Sequence, residues 1–349
     1  MISTFRHSAL IFRSLIARIG VALCLLCAAF TANAQSAVIY AYRATANDLV
    51  SFSATAPQTL LTLVTLSGLG AGQQLIGIDF RPATGELYGI AKLDAIRFSV
   101  VKINTQTGAV NTVFPSFDLG SAPVNGGVGF NPVADQIRFV SEQRDNRRLN
   151  PDTGATVGID TLLNYGGPIP TNVAHVAYSN SIAGATLTTA YAIDFATDFL
   201  VRIGGPDGTP SPNGGVLTNI GALGVDADAV GGFDIQAGTN TAYAALRVGG
   251  ASRLYTINLG TGAATLLGPF VDTGTVDGMA IAPINPCLDV DGDGSVNALT
   301  DGLMLLRALL GMTGTAVTSN ALPTPAPPRA TWPLIRTHFH TNCGLSFAP

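Results

Sequence analysis

The densest cluster of oxygen-bearing side chains in this 349-residue chain lies near its C-terminus, in Asp289-Val290-Asp291-Gly292-Asp293-Gly294-Ser295-Val296-Asn297. Asp289, Asp291 and Asp293 occupy positions 1, 3 and 5 of a loop. Gly294 falls at position 6, where the chain must turn sharply. Ser295 at 7 can offer its backbone carbonyl, and Asn297 sits at 9. Carboxylates packed this closely repel one another unless a hard cation neutralises them, and this spacing is the calcium-loop pattern of an EF-hand. Position 12, usually acidic, is Thr300; the acid Asp301 comes one residue later. Either the loop is one residue longer, or Asp301 completes the ligand set in a variant geometry. The competing reading is an acidic Asp/Gly turn that holds no metal.

Other chemistry is sparse. A cluster of Arg138, Arg144, Arg147 and Arg148 interleaves with Asp135, Glu142 and Asp145. It reads as a hairpin with local ion pairs of little energetic weight, or as a patch for an acidic ligand through Arg138 and Arg148. Asp79, Asn131, Asn180 and Asp234 fall at or just after repeated strands and are candidate ligand contacts. His175 reads as a strand-face residue. His338 and His340 share a face only in an extended segment and diverge on a helix. No Gly-x-Ser-x-Gly elbow, zinc spacing or phosphate loop occurs, so no catalytic set is assigned.

The elements that would position these residues repeat. Strands with a Gly or another small residue before apolar residues recur as Ile76–Phe80, Gly127–Phe130, Ala174–Tyr178, Gly231–Ile235 and Asp277–Ile281. Their markers Phe80, Phe130, Tyr178, Phe233 and Met279 are spaced by 50, 48, 55 and 46 residues. A second strand follows, as in Glu86–Ile90. A third runs into a Thr-Gly turn at Thr107-Gly108, Thr153-Gly154 and Thr261-Gly262, and Thr197-Asp198 is a looser copy. A period near 50 with about four strands per unit predicts an all-β, five-bladed β-propeller-like domain. The chain opens with second-, third- and fourth-strand copies from Val38 and closes with a lone first strand at Asp277–Ile281. One blade is therefore expected to be completed by N- and C-terminal strands, which removes an open edge. A β-sandwich or open array is the alternative.

The ends carry addresses. Residues 1–34 have a basic start (Arg6, Arg13, Arg18), an apolar run from Ile19 to Phe30 and Ala32-Asn33-Ala34. This predicts a secretory signal peptide cleaved after Ala34; a membrane anchor is disfavoured because the run is short of the ~20 residues a bilayer needs. The domains are then 1–34 leader, 35–284 propeller-like, and 285–349 a small helical calcium module. The mature chain would be secreted, periplasmic or cell-surface, with no membrane span. Of the four cysteines, Cys287 and Cys343 remain after cleavage, as a disulfide in an oxidising compartment or as two thiols. Only 11% of residues are charged, against about 25% on average. The mature chain has 15 basic and 22 acidic side chains, so nucleic acid is a poor partner.

Leu299, Leu303, Leu306 and Leu310 recur at helical spacing, predicting a helix over about Thr300–Leu310 that ends at Gly311. A second helix is expected over Thr331–His340. Two resemblances follow. The segments "LIGIDFRPATGELYGI", "VGFNP", "RRLNPDTGA", "GGFDI" and "LYTINLGTGAATLLG" resemble the bacterial domain-of-unknown-function family 4394 over about residues 38–283. That resemblance implies an exported propeller-like module with no established activity. "DVDGDGSVNALTDGLMLLRALLG" resembles half of a dockerin type I module, which implies Ca²⁺ and a cohesin-like or intramolecular docking partner; the second half lacks its Asp-rich loop. The expected function is a secreted, non-catalytic binding module that presents loops to a glycan or protein ligand. The alternatives are an extracellular polysaccharide hydrolase or lyase with acids from several blades, and a structural surface protein.

Overall fold

The computed structural model describes residues 36–349 except 114–115, 168–170, 271–273, 284–286, 294–295 and 344. The leader with its cleavage site after Ala34, and Ser295 of the acidic loop, lie outside the described residues.

Five antiparallel sheets, four of four strands and one of five, form a β-propeller. From the axis outward, blade I is Gly278–Ile281, Val38–Arg43, Asp48–Ser53 and Ala56–Thr65. Blade II is Gln74–Phe80, Leu87–Lys92, Arg97–Ile103 and Val110–Thr112, with Phe117–Asp118 also pairing its third strand. Blade III is Gly126–Asn131, Gln136–Ser141, Asn146–Leu149 and Thr156–Ile159. Blade IV is Val173–Tyr178, Ala190–Asp194, Phe199–Ile203 and Leu217–Ala222. Blade V is Asp228–Ile235, Ala242–Val248, Ala251–Ile257 and Ala264–Pro269. The inner strands contact one another in the cyclic order I–II–III–IV–V–I. Blade I is the composite one, pairing Ile39 with Ile281 and Tyr42 with Gly278. The ends of the domain thus close the ring, as the repeat pattern predicts.

Burial explains the residue choice. Inner strands are covered on both faces, as in the wholly buried Val173–Tyr178, whereas the outermost Ala56–Thr65 is mostly exposed. The apolar core is divided into five clusters, each shared by two adjacent blades: Leu49 of blade I with Ile103 of blade II, Ile90 with Phe139, Val140 with Val201, Ile193 with Leu246, and Leu254 with Phe52. Each blade therefore buries its faces only against neighbours, and the ring must be complete to bury them all.

Five inner strands leave little room at the axis, which accounts for the repeated glycines. A Cβ on Gly127 would sit 2.6 Å from the His175 Cα, and one on Gly232 would sit 2.4 Å from the Met279 backbone N. The channel they line holds only about 10 Å³ of free space, about one water.

The Thr-Gly turns are set by an asparagine that opens each of them. Asn104 Oδ1 accepts from the backbone N–H of Gln106 and Thr107, both at 2.9 Å, and Asn150 and Asn258 repeat the pattern. The glycines that follow take φ of 72°, 67° and 81°, a region in which a Cβ is strained. The looser copy places Asp198 there, with φ 54°.

The C-terminal module contains three helices: α1 (Leu303–Leu309), α2 (Thr315–Thr318) and α3 (Trp332–Cys343). They share their own small core of Val290, Met304, Val317, Trp332, Ile335 and Phe339. α1 starts later than the leucine spacing predicts, because a wide helical turn over Ala298–Gly302 precedes it. Gly311 ends it with φ 81°. Cys287 and Cys343 form a disulfide across a separation of 56 residues, so the two-thiol alternative is set aside. No helix among the described residues is long and apolar enough to cross a membrane.

Candidate functional site

The acidic loop folds around converging carboxylates. Asp289, Asp291 and Asp301 each place an oxygen within 4.8 Å of the others. The wide turn explains how Asp301 arrives there one residue late. Gly302 N–H bonds to the Asn297 carbonyl at 3.1 Å, five residues back, and such a turn absorbs one extra residue. Asn297 caps the turn, its Oδ1 accepting from Leu299 N–H at 2.9 Å.

Asp301 is spent on closing the loop. Its Oδ1 accepts from the backbone N–H of Val290 at 2.6 Å and of Asp291 at 3.0 Å, and its Oδ2 from Asn297 N–H at 2.9 Å and Thr300 Oγ1 at 3.0 Å. Four donors use all the acceptor directions of one carboxylate. Asp291 differs. It is fully buried, its Oδ1 accepts from Asp293 N–H at 3.1 Å, and its Oδ2 is buried without a hydrogen-bond partner among the described residues. Burial, then the charge of Asp301, pushes the Asp291 carboxyl up to about 7. Burial also raises Asp289, to about 6, against the opposing pull of Arg329.

Arg329 returns to this loop from forty residues away. Its backbone N–H bonds to the Asp291 carbonyl at 2.7 Å. Its Nε donates to the Val290 carbonyl at 3.0 Å and its Nη2 to the Asp289 carbonyl, and Nη2 lies 3.6 Å from the Asp289 carboxylate. Sequence reasoning did not single out Arg329, since nothing in its neighbours marks it as a partner of so distant a loop.

The propeller candidates fall into two groups. Asp79 and Asp234 come together, at one end of the channel. Both are buried, and each bridges two inner strands. Asp79 accepts from Phe80 N–H at 2.7 Å and Phe130 N–H at 2.6 Å; Asp234 accepts from Ile235 N–H at 2.7 Å and Ile281 N–H at 2.6 Å. Burial raises both carboxyls well above the usual range, and the charge of Asp234 raises Asp79 further. The space beside them is about 10 Å³.

The rest are dispersed and internally engaged. Asn131 Oδ1 accepts from Val133 and Ala134 N–H at 2.9 and 3.1 Å. Asn180 pairs with Asn240 across blades IV and V, through 2.7 and 2.9 Å bonds. The Arg138 guanidinium is buried, not on a solvated hairpin. It donates to Tyr178 Oη at 2.6 Å, Asn213 Oδ1 at 2.6 Å and Asn146 Oδ1, and lies 3.2 Å from Asp160. Arg148 holds the same Asp160 at 2.9 Å. Arg138 thereby ties blade III to blade IV, while Arg148 braces Asp160 within blade III. Arg81 plays a similar part, pairing with Asp135 at 2.5 Å and Asp152 at 2.6 Å. Sequence order does not mark Arg81, whose partners lie 54 and 71 residues away.

The histidines are separate. His175 is buried at the channel, stacked edge-on to Phe195 at 5.1 Å, and burial lowers it to about 3. On α3, His338 is buried and His340 exposed, so they diverge. The channel end opens towards a larger cleft of about 320 Å³, lined by propeller turns and by Asp289, Gly292, Arg329 and His338 of the tail.

A family model described as a domain of unknown function, DUF4394, matches residues 48–280. The chain belongs to this family. The match runs from Asp48, where the third strand of blade I begins, into its closing inner strand, so the DUF4394 region takes in the ring of five blades except for Val38–Arg43 and Ile281. No curated protein matches the chain. Among solved structures, one described as a nidogen/laminin complex is 11% identical, with 71% of this chain and 98% of that chain covered and a TM-score of 0.42. A protein from Lactobacillus plantarum is 16% identical, with 70% and 71% covered and a TM-score of 0.37. TolB from Acinetobacter baumannii is 13% identical, with 67% and 53% covered and a TM-score of 0.39. The propeller assignment for this DUF4394 chain rests on its own strand order and closure.

Proposed function

We propose that this protein is an exported, non-catalytic binding module: a propeller that presents loops to a glycan or protein ligand, carrying a calcium-binding, dockerin-like tail. The observation that carries the reading is the buried, unpartnered Oδ2 of Asp291 beside the Asp289 and Asp301 carboxylates. A buried polar atom without a partner is costly, and carboxylates gathered this closely suit a hard divalent cation with oxygen ligands, which would offset their mutual repulsion. Asp289 and Asp291, with Asp293 by its place in the loop spacing, would hold Ca²⁺, whose chemistry here is charge neutralisation. Asp301, with its four donors, would hold the loop in shape. The disulfide suits export.

The polysaccharide-degrading alternative would draw acids from several blades. Asp79 and Asp234 are such a pair, but about 10 Å³ of space beside them admits no sugar ring, which favours the binding reading.

The test is calorimetric titration of Ca²⁺ into protein 35–349, beside the double variant Asp289→Ala/Asp291→Ala. Binding at about 10⁻⁵–10⁻³ M, lost in the variant, is expected. No heat and no calcium-dependent thermal shift in the parent protein would remove the tail from the reading.

A further inference from the structure

We propose that the cleft between the propeller and the tail is a binding site for a neutral, hydroxyl-rich ligand, a mono- or disaccharide. This deepens the binding-module reading above and rests on it. The cleft is about 320 Å³, at the lower end of the range for small-ligand sites, about 300–1,000 Å³. It is much the roomier of the two spaces at this end of the molecule, since the channel end beneath it has only about 10 Å³.

Two walls of different chemistry enclose it. The propeller wall is made by turns that follow the inner strands of blades II and IV, and brings the hydroxyl residues Thr84 and Ser181 with small Pro and Ala surfaces. The tail wall brings Asp289 and Arg329. Arg329 spends Nε and Nη2 on loop carbonyls, and its Nη1 has no acceptor among the described residues. The guanidinium is therefore held in place with donors to spare.

The ligand class follows from this set. A hydroxyl group both donates and accepts, so a polyol can meet the Arg329 donors, the Thr84 and Ser181 hydroxyls and the carboxylate wall together. Asp289 and Arg329 face the cleft 3.6 Å apart, so their opposite charges offset each other and the wall offers neither an anion nor a cation a partner of one sign. No Phe, Tyr or Trp among the described residues lines the cleft, so a planar aromatic ligand finds no ring to stack on.

The experiment is saturation-transfer NMR and calorimetry on protein 35–349 with calcium present. The probes are glucose, galactose, mannose and cellobiose, with galacturonate and glucosamine as charged counterparts. Ala183→Trp fills the cleft from an exposed turn position, Arg329→Gln removes the spare donors, and Arg97→Gln is a distant control; thermal midpoints report folding. At least one neutral sugar is expected to bind, ten-fold or more tightly than its charged counterpart. Ala183→Trp should weaken it at least ten-fold and Arg329→Gln at least three-fold, with Arg97→Gln unchanged. Binding of none of the neutral probes overturns the proposal. A sugar that binds Ala183→Trp as well as the parent also overturns the cleft as the site, while leaving the binding-module reading standing. Failure of the tail part of that reading is seen separately, in the calcium titration.

Discussion

Asp79, on the inner strand of blade II, accepts a hydrogen bond from the backbone N–H of Phe130, on the inner strand of blade III, at 2.6 Å. Asp234 of blade V and Ile281 of blade I repeat the relationship at 2.6 Å. Two of the five blade junctions are therefore stapled by a buried carboxylate at the axis. A carboxylate here serves assembly: it supplies acceptors to inner-strand N–H groups, at the cost of burying an ionisable group.

That cost depends on pH. Both carboxyls titrate above their ordinary value, so on raising the pH the unfolded chain loses these protons first, near pH 4. The folded state keeps them to higher pH, and stability contributed by these groups falls from about pH 4 towards neutrality. Urea unfolding at pH 4.5, 5.5 and 7.5 should show this slope reduced in Asp234→Asn, which cannot titrate. The variant should also be less stable by about 1–3 kcal/mol at low pH, because its amide turns a donor towards a backbone N–H. An unchanged slope would show that the pair does not titrate in this window.

The inner-strand glycines should not tolerate a methyl group. Gly127→Ala and Gly232→Ala would bring a Cβ within 2.6 and 2.4 Å of neighbouring backbone, which flexible side chains cannot relieve. Each should lower stability by at least about 1–3 kcal/mol. Gly214→Ala, which meets nothing within 4 Å, should be near neutral. Equal urea midpoints for all three would mean the ring is looser than its inner strands indicate.

Arg138 should behave as a structural post. Truncation to Ala leaves a cavity and removes the partner of Tyr178, Asn213 and Asn146. The expected loss is about 3–5 kcal/mol, as for breaking a buried ion pair, measured by denaturant unfolding. Arg148→Ala, at a half-exposed position on the same Asp160, should cost much less. If the two cost the same, the buried network adds nothing beyond the surface pair.

The Cys287–Cys343 bond closes a 56-residue separation, for which the chain-entropy model gives about 4 kcal/mol. The tail has its own core, so reduction should release the tail and leave the propeller folded. Hydrogen exchange of Cys287→Ser/Cys343→Ser is expected to show lost protection in α1 and α3 and unchanged protection in the inner strands. Loss of protection in both would show that the tail supports the ring.

The repeating spacing of Phe80, Phe130, Tyr178, Phe233 and Met279 pointed to five units, their strands and a ring closed by the two ends of the repeat domain. It could do so because each blade is a local structure of short hairpins, and local structure is written in strand patterning and turn residues. The Asp-rich spacing likewise marked the loop, and leucine spacing marked α1. What sequence order could not decide is what meets across blades and across the tail. Asp160 gathers Arg138 and Arg148, Asp79 reaches Phe130, and Arg329 returns to the acidic loop from forty residues away, through contacts that exist only once the ring and the disulfide-closed tail are in place. The same holds for Asp301: its position one residue late is a departure in sequence, and the wide turn before α1 converts it into the carboxylate that closes the loop.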